Sequence, residues 1–346
     1  MAEAPIEVTP EIATSYLHSN RALLEALEID AADAPLLAAE PLKQGEHNAN
    51  FTFVHPRTQA KHVLRVNYLS QMGLDDQIGY EYRALEFLQP SGRVPKPRYL
   101  DSSKQLCGHG ALVMDYYEGE WLDYEIPGNV VEAARMLADV HAVPVGADCP
   151  LQRPGDPLRA QFEVCARFFD NYRRSALADE HVVNAIQLMQ KATQAALETP
   201  FDPSDSAHAL NTEAVAVHFL IPQDGSPGHM VDWEKPLVGE VAQDVAYFLS
   251  PTTTIWDTDY IFPKADREAF LETYWAQVAG RFPEGRFEQR FDAYVKSNCL
   301  LGITWSANAW VEYHDPARPL KNAKTFEKLK QYLSQEFLDQ CFDICY

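Results

Sequence analysis

The chain has 346 residues, with 50 acidic against 29 basic side chains, a formal net charge of −21 and 46% hydrophobic residues. That length supports two cores in one chain, and the composition is that of an ordinary globular protein. A field of that sign repels nucleic acid and anionic membrane surfaces and draws in cations such as amines; no apolar run approaches the roughly 20 residues that span a bilayer. Neither nucleic acid nor membrane is therefore expected as a partner. The same charge also serves solubility. The start, MAEAPIEVTPE, is acidic and lacks the basic and apolar regions of a signal peptide, so a cytoplasmic location is expected. The six cysteines (107, 149, 165, 299, 341, 345) form no CxxC pair and suggest neither zinc nor a disulfide framework; Cys341 and Cys345 lie one helical turn apart.

Residues 9–28 open on Thr-Pro, a cap followed by a first-turn proline, and carry a helical stripe of Ile12, Tyr16, Leu23, Leu24 and Leu27. Short strand-like segments follow at 36–42, 50–55 and 62–66, punctuated by Gly45 and Pro56. Residues 75–89 place Ile78, Tyr82, Leu85 and Leu88 on one helical face. The segment SGRVPKPRYLD reads as a turn, 111–117 as an apolar strand, and 118–122 as a connection. Beyond it the pattern is mainly helical: 129–141, 157–175 and 179–198, then 265–280, 287–313 and 323–340. A β-like insertion at 214–221 and 229–233 interrupts it. The expected fold class is α+β, with a small sheet-rich N-lobe over 1–117 and a larger helical C-lobe over 118–346.

Three segments carry chemistry. In HMVDWEKPLVGEVAQDVAYFL (229–249), Asp232 ends a strand and is followed by Trp233 and Glu234, with Asp244 downstream. A carboxylate at a strand end suits a hard cation. The segment Lys43-Gln44-Gly45-Glu46-His47-Asn48-Ala49-Asn50-Phe51 offers backbone amides and short polar side chains of the kind that cradle phosphate. Arg65 sits inside the apolar strand His62-Val63-Leu64-Arg65-Val66, with Glu81 on the next helix as its candidate ion-pair partner. Each has a plainer reading: a capping aspartate, a hairpin turn, a surface arginine with a solvated glutamate.

Together these segments resemble the aminoglycoside phosphotransferase and choline kinase-like phosphotransferases, whose fold is protein kinase-like and two-lobed. The resemblance runs from about residue 36 to 313. It implies that ATP or GTP is the co-substrate, bound through Gly45, Asn48, Asn50, Arg65 and Glu81, with Met114 and Tyr116 at the hinge strand meeting the base. It implies that Asp232 ligates Mg2+ and that Asp244 braces the catalytic loop.

The family loop, His-x-Asp with Asn five positions after the Asp, does not fit His208-Ala209-Leu210, which would put leucine at the carboxylate. Counting back from Phe219-Leu220-Ile221 places the family histidine on Asn211, the catalytic carboxylate on Glu213 and the asparagine metal ligand on His218. Imidazole suits Mn2+ better than Mg2+. The altered trio leaves three readings open: a phosphotransferase acting on a hydroxyl of a small, cationic acceptor; a pseudokinase that binds nucleotide or a protein partner; or a nucleotidyl transferase of the same fold. Aromatic residues around Trp305 and Trp310, and Trp256, read as core or as a wall for a cationic acceptor.

Overall fold

The computed structural model describes residues 7–42, 47–70, 72–198, 200–204, 207–315 and 323–346. Contacts divide the chain into two units: Met1–Leu122 with Val143–Gln152 and His218–Pro236, and Asp123–Ala142 with Arg153–Val217 and Leu237–Tyr346.

The first unit begins with α1 (Pro10–Ser19), capped by the Thr9 hydroxyl, and α2 (Arg21–Ala26). The single helix expected over 9–28 breaks because the Asn20 side chain accepts from Leu23 N (3.1 Å) and starts a new helix. Five strands form an antiparallel sheet: β1 (Glu40–Pro41), β2 (Asn48–Val54), β3 (Lys61–Asn67), β4 (Pro97–Leu106) and β5 (His109–Asp115), in the order β1-β2-β3-β5-β4. The 36–42 segment shortens to β1 because a 3-10 turn at Ala34–Leu36 takes its first residue and engages Leu37 N, which donates to Ala34 O at 3.0 Å. The stretch read as a turn contributes the ten-residue β4, whose register shifts twice against β5. Those irregularities break the period-2 signal that sequence reading depends on.

Both faces of β3 are buried, and the two-residue period sorts its side chains. Leu64 and Val66 join Phe51, Phe53 and Val113 in a core shared with α1 and α2. Arg65 and Val63 take the other face, opposite Asn50 and Leu112 and opposite Met114 respectively. The helix α3 (Gln77–Leu88), capped by Asp76, packs against β3, β4 and β5. It sits so close that a Cβ at Gly110 of β5 would be 2.6 Å from Ile78 Cγ2. The unit closes with a small sheet of β6 (Glu120–Trp121), β8 (Phe219–Ile221) and β9 (His229–Met230). The strand expected over 214–221 survives only as β8. A turn from Val215 N to Glu213 O (2.7 Å) and a 3-10 turn at Ala216–His218 replace its first half.

The second unit is helical: α4 (Pro127–His141), α5 (Pro157–Arg173), α6 (Glu180–Ala196), α7 (Val241–Leu249), α8 (Pro251–Asp257), α9 (Lys264–Val278), α10 (Phe287–His314), α11 (Ala323–Tyr332) and α12 (Gln335–Cys345). The 28-residue α10 is the axis against which α5, α6, α7, α8, α11 and α12 pack. The helix expected over 323–340 divides where the Ser334 hydroxyl caps α12. The ribbon of β7 (His208–Leu210) and β10 (Leu237–Gly239) leads into α7. Among the described residues no helix is long and apolar enough to cross a membrane.

Leu64 is fully buried in the central strand of its core. Leu64→Ala is expected to destabilise the protein by about 2–5 kcal/mol through lost contacts and a residual cavity. Urea unfolding midpoints measure it.

Candidate active site

The period of β3 delivers Arg65 to a buried face of the sheet, and a buried guanidinium must be paired. Its Nε lies 3.1 Å from Glu81 Oε2, which α3 supplies. Its Nη2 donates to Asp232 Oδ1 at 2.5 Å and lies 3.5 Å from Glu234 Oε2. Asn48 Nδ2 donates to the same Glu234 oxygen at 2.6 Å, and Asn67 Nδ2 donates to Asn48 Oδ1 at 2.9 Å. His218 Nε2 is 3.3 Å from Asp232 Oδ2.

Three features fix the Asp232 segment. Trp233, buried, donates from Nε1 to Met230 O at 2.8 Å. Val231 N donates to His218 O at 2.8 Å. From α3, Gln77 Nε2 donates to Glu234 O, and Tyr80 Oη donates to Pro236 O at 2.5 Å. Gln77 and Glu81 are one helical turn apart, so one face of α3 serves both the backbone and the guanidinium. Asp232 itself has φ of +63°, in the left-handed region that Asp and Asn tolerate best among residues with a side chain.

The charges are unequal. One guanidinium faces three carboxylates, and burial, which opposes each charge, is offset to different degrees. Burial alone would raise the Asp232 carboxyl, but Arg65 and His218 outweigh it and hold it well below the usual carboxylate range. Burial raises Glu81 to about 7, against Arg65, which lowers it, and together with Asp232 and Glu234, which raise it further. The Arg65, Glu81 and Glu234 side chains are 7% exposed or less, whereas that of Asp232 is 30% exposed. Asp232 is therefore the most exposed carboxylate of the cluster.

Among the described residues no group of three or more His, Cys, Asp or Glu side chains is assembled to hold a metal. A magnesium ion commonly takes one or two protein carboxylates and completes its shell with phosphate oxygens and water. The partly exposed Asp232 carboxylate, kept charged by Arg65 and His218 in a cluster with surplus negative charge, fits that donor set.

The second unit holds a separate arrangement. Asp244 on α7 is fully buried and accepts from Asn211 N at 2.7 Å and Thr212 N at 2.8 Å. His141 Nε2 lies 3.3 Å from it, and His141 Nδ1 is 2.8 Å from Tyr274 Oη. Glu213 N donates to Asn211 Oδ1 at 3.2 Å, beside Thr212 with φ of +71°. The Asp244 carboxylate thus secures a turn whose backbone is locally unfavourable for threonine.

The sequence-derived residues fall accordingly. Asn48, Arg65, Glu81, Asp232 and His218 come together in the first unit. Asn50 and Met114 lie on the Arg65 face of the sheet, and Tyr116 follows β5 with Lys61 Nζ 3.9 Å over its ring. Asn211, Glu213 and Asp244 belong to the second unit. Gly45 lies outside the described residues. Sequence reading missed Glu234, Gln77, Tyr80 and Asn67. The only available signals were the acidic residue two after Asp232 and the helical spacing of 77, 80 and 81.

The sequence profile of the phosphotransferase enzyme family matches residues 38–288. The chain belongs to that family. No curated protein sequence matches it. Solved structures of similar fold include spectinomycin phosphotransferase in complex with ADP and spectinomycin (TM-score 0.62, 11% identity, 88% of this chain and 92% of that one). They also include ethanolamine kinase from Plasmodium vivax (0.64, 12%, 98% and 93%) and choline kinase from Cryptosporidium parvum Iowa II (0.61, 13%, 96% and 97%). This phosphotransferase-family chain therefore has the kinase-like α+β fold, with a small antiparallel sheet and a mainly helical remainder.

The Glu81 carboxyl gives the fold a pH dependence. Its folded value of about 7 lies above the ordinary 4.5, so the folded state binds the extra proton between those values. That contribution to stability is complete below about 4.5 and is lost as pH rises through about 7. From pH 5 to pH 8 the wild type is expected to lose on the order of 1–3 kcal/mol relative to Glu81→Gln. Urea unfolding of both proteins at the two pH values checks this; parallel profiles would contradict it.

Proposed function

We propose that the protein transfers the terminal phosphoryl group of ATP or GTP to a hydroxyl of a small, cationic molecule. The observation that carries this reading is Asp232, kept anionic by Arg65 and His218 and presented at the solvent-open end of the buried cluster. Family membership supports the reaction class. Two structural neighbours are kinases of ethanolamine and choline, both ammonium alcohols, and a net charge of −21 favours such acceptors. One neighbour was solved with ADP, which supports a nucleotide co-substrate.

In this reading residues 1–117 provide nucleotide contacts and residues 118–346 provide the acceptor chemistry. The sheet face bearing Asn48, Asn50, Arg65 and Met114 receives the nucleotide. Asp232, with His218 beside it, holds the nucleotide-bound Mg2+ or Mn2+. The metal supplies charge neutralisation on the phosphate oxygens. Glu213 orients the acceptor hydroxyl and takes its proton as the new O–P bond forms and the bond to the leaving diphosphate oxygen breaks. Asn211 and Asp244 fix the Glu213 backbone. Catalysis is then chiefly positioning and electrostatics.

A second reading, nucleotide binding without transfer, draws on His218. An imidazole stands 3.3 Å from Asp232 Oδ2 at the position the family gives to an amide ligand.

Titration calorimetry of ATP and GTP with Mg2+ and Mn2+, followed by an acceptor screen for ADP or GDP release, tests both readings. The expected result is metal-dependent binding in the wild type and turnover that falls about 10²–10³-fold in Asp232→Asn. Binding without transfer to any amino-alcohol acceptor would support the second reading. No binding with either metal would overturn both.

A further inference from the structure

We infer that the helical unit carries an inorganic phosphate site at the junction of α7 and α10, built from residues other than the Arg65 cluster. A cavity of about 70 Å³ is lined there by His208, Glu240, Val241, Arg286, Phe287 and Arg290, among others. One water needs about 10–15 Å³ by this measure, so the space holds a water cluster or one tetrahedral oxyanion.

Both helices begin in its wall, α7 at Val241 and α10 at Phe287, and no side chain caps either N-terminus. Phe287 N and Gln243 N already donate to Glu284 O and Glu240 O, and each helix start still carries roughly half a positive charge. The independent observation is Arg290. It is 1% exposed and lines the cavity. Its Nε and Nη2 donate to the two Glu240 oxygens at 2.7 Å each, while its Nη1 has no hydrogen-bond partner among the described residues. A buried guanidinium N–H left unmade costs at least about 1–3 kcal/mol, so an acceptor beside Nη1 is favoured.

The groups around Arg290 bear on what that acceptor is. Arg286 and Arg290 stand against Glu240 and Glu284 in the wall and Asp156, whose Oδ1 lies 3.7 Å from Arg290 Nη2, and the two helix starts offset the remaining negative charge. Glu240 does not repel an anion at full strength, because Arg290 and the Tyr294 hydroxyl (2.6 Å) already donate to its carboxylate. Burial lowers the His208 pKa and favours neutral imidazole. Its Nδ1 lies 2.8 Å from His141 O and so carries the proton, leaving Nε2 as an acceptor. Hydrogenphosphate brings an O–H for such an acceptor and sulfate does not, which selects phosphate.

Occupancy would join the starts of α7 and α10 and so stabilise the helical unit. The test is calorimetric titration of inorganic phosphate into the full chain at constant ionic strength, with sulfate as comparison. Phosphate is expected to bind more tightly than sulfate. Glu240→Gln, which removes the opposing charge and keeps the side-chain shape, should tighten phosphate by about tenfold, and Arg290→Gln should weaken it by at least about tenfold. Equal phosphate affinity in wild type and Glu240→Gln would overturn the site, since phosphate would then be binding elsewhere. Should Arg290→Gln fail to fold, crystals of the wild type soaked in phosphate decide: a tetrahedral peak beside Arg290 Nη1 supports the site, and water alone overturns it.

Discussion

A guanidinium cannot shed its proton to escape burial, so placing Arg65 inside a sheet obliges the chain to bring carboxylates to it. Three arrive from two places: Glu81 from α3, and Asp232 and Glu234 from the segment after β9. That pairing is what ties the late segment to the early sheet within the first unit. The other bonds there, Asn48 to Glu234, Gln77 to Glu234 O and Tyr80 to Pro236 O, reinforce a position that the charge already requires. Buried pairs of this kind seldom add net stability over apolar packing, but removing one partner is costly. The cluster is thus better understood as a device for position than as a source of stability.

The second unit uses carboxylates differently. Glu240 and Asp244 are one turn apart at the start of α7. The first holds Arg290 and Tyr294 of α10, and the second holds the backbone of Asn211 and Thr212. A single short helix therefore connects the long axial helix to the loop that carries Glu213. Both acids are buried, and both have their oxygens occupied by donors.

Much of this was legible in the sequence where local pattern and local contact coincide. The strands around Leu64 and Val113 are short apolar runs buried on both faces, and a charged residue inside HVLRV, followed by an acid on an amphipathic helix, announces a buried pair. Legibility failed where the deciding contact is remote. AVAV at 214–217 has strand composition, yet Asp244, some thirty positions later, holds the preceding turn. Glu234 acquires its place from Asn48, 186 residues away. The strand at Pro97–Leu106 was obscured by its own bulges and polar composition, and β7 and β10, three residues each, are too short to show a period.

The left-handed backbone of Asp232 bears on how its chemistry can be inherited or lost. Only glycine, asparagine and aspartate adopt that conformation readily, so a β-branched replacement would strain the segment before any question of catalysis arose. A descendant freed from the need for activity would still be biased toward those three residues, although Thr212 at φ +71° shows that others are tolerated where the surroundings hold them. Retention of an aspartate at this position, taken alone, is thus weak testimony for turnover, and the more informative letter among relatives is the one at 213, where the backbone carries no such restriction.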